Sequence, residues 1–181
     1  ALSDAPLCSG CRKKLASLSY AQLYEHRCPT CGTPVLDTAY GCDFCQDALL
    51  SYGVYDGILE QLITSYKHAG NVQAAWQLAT LFEPLVRKFG APILIPIPSS
   101  ISGKRNLGFD HMALVTAILC RRLHLSSVRL LAQQKHDLYT LLTRKQRQQT
   151  NNLILKKKAL KTMQAYVQDG THNFVILDDI F

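Results

Sequence analysis

Six of the seven cysteines fall within the first 45 residues, as three Cys-x-x-Cys pairs: Cys8/Cys11, Cys28/Cys31 and Cys42/Cys45. Two residues between thiolates let both sulfurs face one tetrahedral ion from a tight turn, and two such turns complete a closed four-sulfur shell. Ala1 to Pro6 show no basic segment leading into an apolar one, so the expectation is a cytoplasmic chain without a signal peptide. In that setting such pairs point to metal rather than to disulfides. Gly32, directly after Cys28-Pro29-Thr30-Cys31, relieves the backbone where it turns past the ion. With Cys42-Asp43-Phe44-Cys45 the segment reads as a zinc ribbon whose ligands are Cys28, Cys31, Cys42 and Cys45. A closed shell of thiolates leaves no position for a substrate, so the zinc is structural. It stabilises a segment too small to bury a core of its own. An iron–sulfur cluster is the alternative for the same ligands. Cys8 and Cys11 either belong to a second site or compete for the single ion. Cys120, alone within Ala117-Ile118-Leu119-Cys120, reads as a small buried apolar residue.

The second constellation is acidic. Asn173-Phe174-Val175-Ile176-Leu177 is an apolar strand pattern that ends in Asp178-Asp179. One carboxylate at a strand end can accept hydrogen bonds from vicinal hydroxyls while its neighbour faces elsewhere, and either can help hold Mg²⁺. The bland alternative is a solvated turn. A third feature is the polar, basic loop from Ser99 to Gly108, with Lys104 and Arg105, that follows the proline-flanked strand Pro92 to Pro98.

The elements that must position these groups are legible from periodicity. Gly57 to Gly70 carries Ile58, Leu59, Leu62, Ile63 and Tyr66 at the spacing of one helical face, with Gly70 as the stop. Val72 to Phe89 repeats the pattern, Trp76 serving as a core anchor and Pro84 as a kink or break. Another helix is expected from Asp110 to His124, a strand at Val128 to Leu131, and a loop entering a helix through the basic stretch beyond. Strands separated by helices imply an α/β fold with a mostly parallel sheet covered on both faces. Ligands of such sheets sit beyond the carboxyl ends of the strands, where both the Ser99–Gly108 loop and Asp178-Asp179 fall. The expected division is a cysteine-rich domain over 1–50 and the α/β domain over 51–181.

Length and charge bound the function. At 181 residues and 48% hydrophobic content, the chain suits one packed domain plus a small appendage. Its apolar runs fall far short of the ~20 residues that span a bilayer, so no membrane insertion is expected. Net charge is +7, and between Arg121 and Lys161 eleven lysines and arginines stand against one acid, Asp137. Such a block attracts phosphates of a nucleotide, a sugar phosphate or a nucleic-acid strand, or is simply a solvated basic surface.

Several segments, in order, resemble the ComF competence family. These are the paired cysteine knuckles, the helix end Tyr66-Lys67-His68-Ala69-Gly70, and the strand end Pro96-Ile97-Pro98. They continue with the loop Lys104-Arg105-Asn106-Leu107-Gly108-Phe109, the element Leu142-Thr143 with Arg147 and Asn151, and Val175-Ile176-Leu177-Asp178-Asp179-Ile180-Phe181. The last looks like the first half of the phosphoribosyl-pyrophosphate signature of type I phosphoribosyltransferases. The family's phosphate-cradling loop would follow Phe181, so the transferase domain is expected to be incomplete at its C-terminus. Where the family usually has Arg-Gly-Phe-Asn-Gln, this chain has Leu107-Gly108-Phe109-Asp110-His111. The resemblance implies a type I phosphoribosyltransferase-like sheet flanked by helices, with the small zinc ribbon at its N-terminus. It further implies binding of phosphoribosyl pyrophosphate or a nucleotide with Mg²⁺. Asp178 and Asp179 would be the catalytic acids, with Lys67, Lys104, Arg105 and Arg147 facing the pyrophosphate. A link to DNA uptake follows, with a non-catalytic module for single-stranded DNA as the alternative.

Overall fold

The computed structural model describes residues 7–28, 32–35, 42, 50–133, 153–170 and 173–179. The chain is mixed α/β and forms two compact units that meet in sequence between Lys88 and Phe89. Among the described residues no helix is long and apolar enough to cross a membrane.

The first unit is helical. Helix α1 (Ser9–Ser17) and the short α2 (Tyr20–Leu23) lead to a crossing of two extended stretches, where Ser19 bridges Gly53. Val54 N–H donates to Leu18 O at 3.1 Å, Tyr20 N–H donates to Tyr52 O at 3.0 Å, and the Tyr52 hydroxyl donates to Leu15 O at 3.2 Å. Backbones approach so closely here that a side chain on Gly53 would be driven into the Leu18 carbonyl. Helix α3 (Gly57–Ala69) begins at Asp56, whose carboxylate accepts from Gly57 N–H, and ends at Gly70 in the left-handed region, φ 65°. Its buried residues, Leu59, Ile63 and Tyr66, lie on one stripe, as the sequence pattern predicts. Helix α4 (Val72–Val86) packs against α3 and buries Ala74, Ala75, Trp76, Leu78, Ala79 and Val86. Pro84 sits inside its last turn, and the chain tightens to a 3₁₀ turn over Arg87–Phe89.

The second unit is built around β1 (Ile93–Pro96), which is wholly buried. β4 (Phe174–Leu177) pairs with it in parallel, Ile93 opposite Phe174 and Pro96 opposite Leu177. On the other flank Leu94 bridges Ser127 in parallel, with Leu94 N–H donating to Ser126 O and Val128 N–H to Leu94 O. β1 is therefore hydrogen-bonded on both sides, the arrangement the apolar run Ile93-Leu94-Ile95 suits. Helix α5 (Ile101–Leu107) and α6 (His111–Leu123) follow β1, and α6 packs against it. β2 (Leu131–Gln133) pairs antiparallel with β3 (Leu153–Leu155), and α7 (Lys157–Gln168) sets Ala159, Met163 and Tyr166 against Ile93, Ile95, Val128 and Leu130.

Two expectations are corrected. Residues 101–107, read as loop, form helix α5, because the Ser100 hydroxyl accepts from Gly103 N–H at 2.9 Å and closes the first turn. The strand read at Val128–Leu131 starts at Leu131. Val128 and Leu130 are buried, but the Ser126–Val128 stretch makes only a bridge to Leu94.

Replacing Gly53 by alanine is expected to cost about 1–3 kcal/mol of stability through overpacking against backbone that cannot move aside. Urea unfolding of Gly53→Ala beside the parent chain measures it.

Candidate functional site at the paired strand ends

Parallel pairing of β1 and β4 brings their carboxyl ends together, and Ile97 N–H continues the ladder by donating to Leu177 O at 3.0 Å. Past β1 the chain passes Pro98, whose carbonyl accepts from Gln133 Nε2 at 3.2 Å, and enters Ser99, which is buried. α5 ends at Gly108 in the left-handed region, φ 77°, and the chain turns back so that Asp110 caps α6. Asp110 is the centre of a compact knot. Its Oδ1 accepts from Ser99 N–H at 3.3 Å, the Ser99 hydroxyl at 3.0 Å and Ala113 N–H at 3.4 Å. Its Oδ2 lies 2.7 Å from Lys104 Nζ. His111 N–H donates to Ser99 Oγ at 3.1 Å, and the same oxygen is 2.5 Å from His111 Nδ1. The far edge of that ring reaches β4: His111 Nε2 is 3.4 Å from Asp179 Oδ2.

Electrostatics follow from these contacts. Burial pushes the Asp110 carboxyl up, but hydrogen bonds from Lys104 and Ser99 together with the Lys104 charge outweigh it, and the carboxyl ends below its ordinary value. Lys104, expected to face pyrophosphate, is thus engaged with Asp110, while Arg105 is exposed on the same helix. Asp178 is exposed, and its Oδ1 accepts from Asp179 N–H at 2.9 Å. Lys67 lies in the last turn of α3, in the first unit. Arg147 falls outside the described residues, as do Cys31 and Cys45.

Ser99, His111 and Asp179 stand in a row, which raises the question of a hydrolytic relay. Ser99 is only 5% exposed, and its oxygen is already held by Asp110 and by the His111 backbone. A nucleophile must be presented to its substrate; Ser99 is a structural brace. This corner presents an exposed carboxylate, Asp178, and the Asp110–Lys104 ion pair. Periodicity and motif matching placed Ser99, Asp110 and His111 in the chain but gave them no role in the site. The available signal was an Asp heading an amphipathic run, the usual mark of a helix cap.

The cysteine pairs are described in part. Around Cys28 the backbone folds tightly: Cys28 N–H donates to Thr33 O and Gly32 N–H to Cys28 O, both at 2.9 Å. Gly32 has φ 80°, and Arg27 bridges Pro34. Such a turn fits one Cys-x-x-Cys half of a thiolate site. Among the described residues no group of three or more His, Cys, Asp or Glu gathers around one point. Cys8 caps α1, its Sγ accepting from Cys11 N–H at 3.3 Å. That backbone hydrogen bond lowers the Cys8 thiol, while sharing with Cys8 raises Cys11. Burial raises Cys120, which is half-buried on α6.

No family model, no curated protein and no solved structure matches this chain.

The depressed Asp110 carboxyl has a pH signature. Its contribution to stability is present above the unfolded value of about 3.9 and is lost as pH falls through the lower folded-state value. The stability gap between the parent chain and Asp110→Asn is therefore expected to be full at neutral pH and to close in acid, as read by urea unfolding across pH.

Proposed function

We propose that the chain is a phosphoribosyltransferase-type protein of the ComF kind, which binds phosphoribosyl pyrophosphate or a nucleotide with Mg²⁺ in the cytoplasm. In this reading the second unit belongs to a type I phosphoribosyltransferase-like fold, and the cysteine segment is a structural zinc ribbon. The single observation that carries it is the parallel pairing of β1 and β4, at whose carboxyl ends Asp179 meets His111 of the segment that carries Lys104 and Arg105. Carboxylates after one strand and a basic helix after its neighbour match a ligand that is a diol at one end and polyanionic at the other.

The chemistry asked of the residues is modest. An acceptor nitrogen attacks the ribose C1 carbon, the C1–O bond to pyrophosphate breaks, and pyrophosphate leaves with the bonding pair. Positive charge builds on the ribose as that bond lengthens. The Asp178-Asp179 strand end closes the ribose side of the site and so orients C1. Arg105 and Arg147 offset the charge of the departing group. Bound Mg²⁺ supplies further neutralisation of the pyrophosphate oxygens. No side-chain nucleophile is needed, in keeping with a buried Ser99.

Cys28, Cys31, Cys42 and Cys45 would hold the zinc, and Cys8 and Cys11 would belong to a second site or compete for that ion. The tight turn around Cys28 and Gly32 supports this half of the reading. Purified under reducing conditions, the chain is expected to carry about one zinc ion. Cys28→Ser should lose most of it by elemental analysis, and a strong chelator should lower the melting temperature.

A second reading has its own observation. Lys156, Lys157, Lys158 and Lys161 are all exposed at the start of α7, and Arg121 and Arg129 are exposed as well. These suit the phosphate backbone of single-stranded DNA during uptake. Calorimetry separates the two readings. Phosphoribosyl pyrophosphate should bind only with Mg²⁺ and should not bind the Asp178→Ala/Asp179→Ala variant. Single-stranded DNA binding should instead weaken steeply with salt and ignore that double substitution. Absence of Mg²⁺-dependent binding by the parent chain would overturn the transferase reading.

A further inference from the structure

The two acids that close β4 are chemically identical and adjacent, yet the fold treats them differently. Side chains alternate across a strand, and the alternation runs past the end of β4. Ile176 is 60% exposed, Leu177 is 3% exposed, Asp178 is exposed, and the Asp179 side chain is 2% exposed. Asp179 therefore points to the buried side, where His111 meets it: Nε2 lies 3.4 Å from Oδ2, and the ring is only 14% exposed. The ring is fixed from behind. Its Nδ1 edge sits on Ser99 Oγ, Ser99 is held by Asp110, and Asp110 is locked by Lys104 and by its cap on α6. A charged carboxylate taken out of water is costly unless a partner compensates it. An imidazole that carries both of its protons, held in place by Ser99, is such a partner.

We infer that Asp178 alone of the pair faces the ligand, and that Asp179 is a positioning residue held by His111, which through the Ser99–Asp110–Lys104 chain ties the end of β4 to the loop leaving β1. This rests on the reading of the preceding subsection and divides the labour within that site. Asp178 accepts from the vicinal hydroxyls of the sugar. Asp179 and His111 set the turn in which Asp178 stands; because Asp179 N–H donates to Asp178 Oδ1 at 2.9 Å, anchoring Asp179 also orients the Asp178 carboxylate. Lys104 belongs to the same brace, so Arg105 is the cation this helix leaves for phosphate.

Titration calorimetry with phosphoribosyl pyrophosphate and Mg²⁺, on the full chain and a set of substitutions, tests the division, with circular dichroism confirming that each variant folds. Asp178→Asn should weaken binding roughly thirtyfold or more. Asp179→Asn and His111→Ala should each weaken it roughly tenfold, and together by no more than either alone, because both remove one contact. His111→Gln, which keeps an N–H donor, should recover most of the loss seen with His111→Ala. Should Asp179→Asn not fold, the comparison of His111→Ala with His111→Gln decides. Effects of Asp179→Asn and His111→Ala that multiply would overturn the assignment. So would an Asp179→Asn loss as deep as that of Asp178→Asn, or a His111→Gln loss as deep as that of His111→Ala. Failure of the parent chain to bind overturns the transferase reading itself, and this inference with it.

Discussion

Parallel pairing of β1 with β4 is the constraint on which the candidate site depends. The two strands lie far apart in the chain, and their four-residue register aligns Pro96 with Leu177. A parallel pair puts both carboxyl ends at one edge, so whatever follows each strand is forced into the same corner. Here one strand is followed by Ser99 and a basic helix, the other by two aspartates. An antiparallel pairing of the same segments would have sent them to opposite edges, and no arrangement of side chains could then have joined them. The apolar run Ile93-Leu94-Ile95, buried throughout, stabilises the pairing from inside.

Around that corner the helices are fastened by polar contacts rather than by apolar packing alone. Asp110 does three things at once: it caps α6, receives the Ser99 hydroxyl and backbone, and pairs with Lys104. A half-buried carboxylate is tolerated because each of its oxygens is occupied. The same economy places His111 between the loop and β4. These contacts join α5, α6 and the ends of β1 and β4 into one brace.

The first unit obeys a different logic. Its helices α3 and α4 bury a stripe each, and the stretch before α3 is held by backbone hydrogen bonds to the loop after α1 rather than by a core. Gly53 permits that close crossing. Around Cys28 backbone hydrogen bonds and a left-handed Gly32 likewise hold the chain, with the Cys28 side chain buried. Segments of this kind gain little from hydrophobic area, which is the physical reason thiolate pairs in them are read as metal ligands.

Sequence by itself determined the features that depend on local periodicity and local sterics. The helices at Gly57–Ala69 and His111–Leu123 follow from 3.6-residue apolar spacing with a capping Asp before each, and the first also from a left-handed Gly after it. The apolar strands at Ile93 and Phe174 follow from their composition. Helix α5 did not, because seven residues with apolar side chains only at the two ends, Ile101 and Leu107, carry no periodic signal, and a single Ser100 cap decides their state. Nor could any pattern say that Asp179 turns inward to His111 while Asp178 turns outward. That outcome depends on which face of β4 is covered, and coverage is settled only when distant elements pack. Tertiary structure alone decides it, because burial is a property of neighbours in space and not of neighbours in the chain.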